Sequence, residues 1–162
     1  MESLEELFVE TVKDIYYAEK KILKALPKMA KKATSPDLAA AFEAHMEETE
    51  GQIERLEKIF ELLGKTPRGK TCAAIEGILE EGTEIMSEAT DDTTRDAGML
   101  AAAQAVEHYE ISRYGTLKTW ARELGLDDAA QLLEQTLGEE KKTDATLSEI
   151  AESAVNQEAE AA

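Results

Sequence analysis

Apolar residues return along the first thirty positions at alternating steps of four and three: Leu4, Phe8, Val12, Ile15, Ile22 and Leu26. That period lays one apolar stripe along a single face of an α-helix. One slot in the series is not apolar, because Glu19 stands between Ile15 and Ile22. Moving a lone carboxylate out of water costs several kcal/mol even after its surroundings relax. An acid in such a stripe therefore needs a partner inside the fold.

The same reading predicts three more long helices. Ser35-Pro36 reads as an N-cap and first helical residue, opening a helix that carries Leu38, Ala41, Phe42, His45, Glu48, Thr49, Gln52, Leu56, Ile59, Phe60 and Leu63 on one face and stops at Gly64. GKTPRGKT (64–71) is the clearest loop. A shorter helix over about 72–89 shows Ile75, Ile78, Leu79, Ile85 and Met86. Past TDDTT (90–94), a long helix over about 95–124 has the stripe Leu100, Ala103, Gln104, Glu107, Glu110, Ile111, Tyr114, Leu117 and Ala121. Gly125 punctuates it. The last helix, from near Asp127, carries Ala129, Leu133, Thr136, Leu137, Glu140, Thr143, Asp144, Leu147, Ile150 and Ala151.

Local signals refine the boundaries. Ser3 with Glu6 three residues on reads as a capping box. Pro27 should kink the first helix or end its regular part. NQEAEAA, from about 156, reads as a frayed tail. No segment alternates with period two over a β-branched run, while Ala, Glu, Leu and Lys abound. The prediction is one all-α domain over 1–162, an antiparallel four-helix bundle with an extra short helix in the long connection between helix pairs.

The inward acids fall at similar depths. With turns near residues 34 and 125, position 19 faces 49, next to Glu48, and position 110 faces Glu140. Position 107 faces 143, next to Asp144. At about 1.5 Å rise per residue these groups share nearly one level. Glu19, Glu48, Glu107, Glu110, Glu140 and Asp144 cannot all be buried as anions without cations, and few Lys or Arg share their stripes. Converging carboxylates from four helices are how a bundle core binds a pair of metal ions. The competing reading is a polar layer that only fixes helix register.

Charge narrows the partners. Thirty-five acidic against 18 basic residues leave a net charge of −17, which disfavours nucleic acid, since phosphate binding needs clustered Lys and Arg. No run approaches the roughly 18 apolar residues of a membrane span, and MESLEELFVE is too acidic for a signal peptide. With Cys72 as the single cysteine, no internal disulfide or Cys-x-x-Cys metal knot is available. The expectation is a cytoplasmic protein.

At these residues the chain resembles the ferritin-like superfamily, and within it the YciE/YciF family of bacterial stress-associated proteins. The matching stretches are DIYYAEKKILKALPKMA (14–30), FEAHMEETEGQIERLEKIFELLG (42–64), AAQAVEHYEISRYGTL (102–117) and LLEQTLGEEKKTDATLSEIA (132–151). The superfamily resemblance implies a ferritin-like bundle with a di-iron or di-manganese centre, held by one Glu from each of two helices and a Glu-x-x-His from each of the others. Carried over, Glu19 and Glu107 are the lone carboxylates, and Glu48 and Glu140 open the paired motifs. Glu107-x-x-Glu110 also resembles the third helix of rubrerythrin-type proteins.

Both expected histidines are absent, because Gly51 and Thr143 stand three residues after Glu48 and Glu140. Gln52 and Asp144, one residue further on, share their glutamates' helix face, and His45 is inward as a replacement imidazole or a support for Glu48. The candidate ligands are therefore Glu19, Glu48, Glu107, Glu110, Glu140, Asp144, His45 and Gln52. His108 reads as a boundary residue, and Tyr16 as core packing or a donor near the site. So many oxygen donors favour hard cations such as manganese, magnesium or calcium, while iron is the family expectation. The resemblance also implies a homodimer.

Three functions compete: a dinuclear metal protein reducing peroxide or dioxygen or oxidising Fe(II), a non-enzymatic stress protein with an empty acidic core, and a helical interaction module using helix 72–89 and the aromatics Tyr17 and Trp120. An internal Fe(Cys)4 electron donor is excluded by the single cysteine.

Overall fold

The structure, a computed structural model, describes residues 1–162. It is all helix: α1 (Leu4–Lys32), α2 (Pro36–Leu62), α3 (Ala73–Glu88), α4 (Asp92–Glu123) and α5 (Asp127–Ile150), then one π-helical turn (Ala151–Val155) and α6 (Asn156–Glu160). Around the bundle α1 packs on α2, α2 on α5, α5 on α4 and α4 on α1, while α3 lies across α4 and α1. One hydrophobic cluster of 31 buried residues runs through all of it.

Side-chain pairs set the register. Thr34 and Ser35, just past the C-terminal end of α1, meet Asp96 near the start of α4, while Glu19 meets Tyr114 further along it, so α1 and α4 run antiparallel. Glu48 with Thr143, Gln52 with Glu139 and Arg55 with Thr136 step in opposite directions, so α2 and α5 run antiparallel. The crossover through α3 makes this pairing possible.

The helix ends follow their local chemistry. Gly64 and Gly125 take φ of +64° and +70°, and Lys65 N–H donates to the Phe60 carbonyl at 2.9 Å, as Leu126 N–H does to Ala121 at 2.8 Å. Both ends are Schellman caps, which need left-handed backbone that glycine adopts without strain. At the N-terminus, Ser3 Oγ accepts from Glu6 N–H at 3.1 Å, but the Glu6 carboxylate takes the Glu2 N–H at 2.7 Å rather than that of Ser3. The reciprocal half of the expected capping box is therefore displaced by one residue.

Pro27 does not end α1, which continues to Lys32. Leu26 and Met29 keep the stripe buried on either side of it, and that tertiary burial outweighs the lost hydrogen bond. Likewise α6 remains helical beyond 156, although none of its residues is buried. Tyr17 and Trp120 are half-buried against the core rather than free for a partner.

The α1–α2 turn is tied from a distance. Asp96 on α4, only 3% exposed, accepts the Thr34 N–H at 2.9 and 3.1 Å through its two oxygens and the Ser35 N–H at 2.6 Å. Removing a buried acceptor strands its donors, at about 1–3 kcal/mol. Asp96→Ala should therefore destabilise the protein by about 2 kcal/mol, a Tm loss of roughly 4–8 °C for a chain of this size, measured by thermal unfolding. A change below 1 °C would mean that water replaces the carboxylate freely.

Candidate metal centre

The four long helices bring their polar residues to one dry place. Glu19 on α1, Glu107 and Glu110 on α4 and Glu140 on α5 are each 0% exposed. His45 on α2 is 3% exposed, and Thr49 and Gln52 on the same helix are 0% exposed. Donor atoms of His45, Glu107, Glu110 and Glu140 all lie within 4.8 Å of one another. The interval of three between Glu107 and Glu110 sets two carboxyls on one face of α4, almost one turn apart.

The cluster has two levels. At one, Tyr114 donates its hydroxyl to Glu19 Oε1, and Glu110 lies close enough to share in the Glu19 titration. At the other, His45 Nε2 lies 3.1 Å from Glu107 Oε1, but without the alignment of a hydrogen bond. Glu140 belongs to both levels, since its charge acts on Glu19, His45, Glu107 and Glu110.

These carboxyls are not satisfied by protein. Both oxygens of Glu107, Glu110 and Glu140 lack a hydrogen-bond partner, as do Glu19 Oε2, His45 Nε2 and Gln52 Oε1. Orphaned buried polar atoms are rare in native proteins, and each calls for a cause. Burial first, and then neighbouring carboxyls, push the Glu19 carboxyl up to about 8 and that of Glu107 up to about 12. Glu110 rises well above the usual carboxylate range for the same reasons. Burial lowers the His45 imidazole, against the pull of Glu140 and Glu48, so a neutral ring with a free nitrogen is available. Without cations this core must hold protons. With divalent cations the same oxygens become ligands. The donor set of three carboxyls and one imidazole, with Glu19 and Gln52 beside it, fits hard or borderline divalent metal.

Two candidate ligands stand at the rim instead. Glu48 is half-buried and accepts from Thr143 Oγ1 at 2.8 Å, while the inward line of α2 runs through His45, Thr49 and Gln52. Asp144 is also half-buried, with Gln104 Nε2 at 3.3 Å and His108 Nε2 at 3.1 Å. His108 is exposed rather than at the boundary, its side chain 69% in solvent. Tyr16 is away from the site, donating to Glu57 at 2.8 Å and edge-on to Phe60.

Other residues at the cluster were not legible as site residues. Tyr114 reads as core in its stripe, yet it carries the one protein hydrogen bond to Glu19; its spacing of four from Glu110 was the available signal. Arg55 pairs with Glu139 at 2.5 Å, and Gln52 Nε2 donates to the same carboxylate at 3.2 Å. That pair closes the α2–α5 side of the cluster. Glu139 lies one residue off the stripe, and nothing in the pattern separates it from a surface acid.

Known proteins share this arrangement of helices. A family profile described as a domain of unknown function, DUF892, matches residues 3–160. Protein YciF of Escherichia coli K12 is 46% identical over 162 residues, 99% of this chain and 97% of its own length. The crystal structure of the E. coli stress protein YciF superposes with a TM-score of 0.92 at 44% identity, covering 96% of this chain and 99% of that one. A Rhodopseudomonas palustris protein, described as a candidate structural protein, gives a TM-score of 0.89 at 49% identity, covering 91% and 94% of the two chains. A Xanthomonas campestris protein gives 0.76 at 26% identity, covering 95% and 94%.

Proposed function

We propose that this chain, which belongs to the DUF892 family of YciF-like proteins, holds divalent metal in its buried carboxylate cluster, in the first place iron as a dinuclear centre, and uses it on small oxidants. The single observation that carries this reading is the set of orphaned oxygens on Glu107, Glu110 and Glu140, brought together with His45 from three helices. Burying several carboxyls together is costly unless cations compensate them. A register-fixing polar layer would instead satisfy its own hydrogen bonds.

Glu107, Glu110, Glu140 and His45 would hold the metal, with Glu19 and Gln52 as further donors beside them. Glu48 and Asp144, at the rim, would act on these ligands through charge. Tyr114 holds Glu19 in place and can return a proton to it. Arg55 and Glu139 keep water from the α2–α5 side. Bound iron would supply one-electron redox chemistry and Lewis acidity toward peroxide or dioxygen. Manganese suits the same oxygen-rich donors. The relative from E. coli is named a stress protein, which is consistent with oxidant handling. The family resemblance also supports a homodimer working in the cytoplasm; no helix of the chain is long and apolar enough to cross a membrane.

A second reading has its own observation. The cluster holds one imidazole rather than two, and the R. palustris relative is described as structural. On that reading any metal only neutralises the core. Peroxide consumption separates the two. Protein loaded anaerobically with Fe(II) should consume hydrogen peroxide more than tenfold faster than an equally loaded Glu140→Ala variant. Equal rates would leave the structural reading standing.

A further inference from the structure

A cavity of about 160 Å³ opens between the C-terminal half of α1, α3 and α4. Ile22, Leu26, Ile78, Met86 and Val106 form its walls, and the buried His45 also lines it. The space exists because the α3–α4 crossing is made by small side chains: Gly82 meets Ala102, and Ala103 lies one residue further along. Lys24 and Lys28, both exposed, stand at the rim. Unfilled apolar space costs a fold packing energy, yet this one is retained beside the most polar place in the core.

Its chemistry selects what can enter. A hydrated ion would have to shed water against walls that are mostly hydrocarbon, with His45 and Thr83 the polar exceptions and two lysines at the rim. A neutral apolar molecule gains by entering, and an apolar cavity of about 150 Å³ is known to take benzene. Met86 is flexible enough to adapt to a guest's outline.

From this we infer a binding site for a compact neutral hydrocarbon, about one aromatic ring in size, seated against the His45 imidazole. The guest would lie alongside the residue that also touches Glu107, so the ligand site and the acidic cluster share one side chain. The inference goes beyond the metal reading and does not require it.

The test uses metal-free, full-length protein with benzene as the probe, followed by NMR of the histidine ring and methionine methyl signals. The His45 and Met86 signals should move saturably through the ring current of the guest, while those of the exposed His108 stay in place. Ala103→Leu, which fills the cavity from α4, should abolish those shifts. If that variant fails to fold, Ile78→Phe fills the cavity from α3 with the same expected loss. Benzoate should bind at least tenfold more weakly than benzene. Absent or non-saturable shifts at His45 and Met86, or shifts unchanged by filling the cavity, would overturn the site. Tighter binding of benzoate would overturn its neutral character.

Discussion

Adding Mn(II), or Fe(II) under anaerobic conditions, to the metal-free protein should raise its Tm by about 10 °C. A ligand that binds only the folded chain stabilises it by about 4 kcal/mol at a thousand times its Kd, and each kcal/mol moves the Tm of a domain this size by roughly 2–4 °C. The orphaned oxygens of Glu107, Glu110 and Glu140 make the effect specific to the folded state, because only the bundle assembles them. In a Glu107→Gln/Glu140→Gln variant the metal-induced rise should shrink to less than 2 °C. The metal-free variant should be at least as stable as the wild type, since amides need no proton to be neutral in a dry core. Loss of the metal response together with a large loss of metal-free stability would mean that these carboxyls support the fold in some other way.

The metal-free protein should also lose stability as pH rises through the neutral range, contrary to the usual behaviour of paired carboxylates. Glu19 is raised from 4.5 to about 8 and Glu107 from 4.5 to about 12. A group whose folded pKa lies above its unfolded value contributes stability that is complete below the unfolded pKa and declines until the folded pKa is reached. For Glu19 the decline runs from about pH 4.5 to 8, and for Glu107 it continues beyond. Each group loses on the order of 1 kcal/mol per pH unit, so the two together lose several kcal/mol between pH 5 and 8. His45 acts in the opposite sense, because its lowered imidazole contributes stability above its unfolded value of 6.5 that is lost as pH falls. One histidine does not offset Glu19, Glu107 and Glu110. Thermal unfolding in EDTA from pH 5 to 8 should show the decline, and Glu19→Gln/Glu107→Gln should flatten it. A wild-type Tm that rises over that range would show that the cluster is hydrated and ionised without metal.

Much of this was readable along the chain, for identifiable reasons. The helix limits were legible because each is set locally: Ser35-Pro36 opens α2, and Gly64 and Gly125 close α2 and α4. Glu19, Glu107, Glu110 and Glu140 were legible because each falls in the middle of a strong apolar stripe. Glu48 was not, because it lies only 100° around the helix from Thr49. Which of the two turns inward depends on how α2 rotates to bury Phe42, Leu56 and Ile59, a tertiary matter. Asp144 stands at the rim for the same reason on α5. Asp96 was invisible as a cap because its partners, Thr34 and Ser35, lie about sixty residues away, and no local pattern encodes that pairing. Pro27 lies inside α1 because local propensity yields to burial of the residues on either side.

Anomalous diffraction from crystals of the protein grown with Mn(II) or anaerobic Fe(II), recorded at the metal's absorption edge, shows whether the buried carboxyls hold metal. Anomalous density should appear inside the bundle, among Glu107, Glu110, Glu140 and His45. Density confined to surface carboxylates, or none at all with the core acids unmoved, would contradict a buried metal centre.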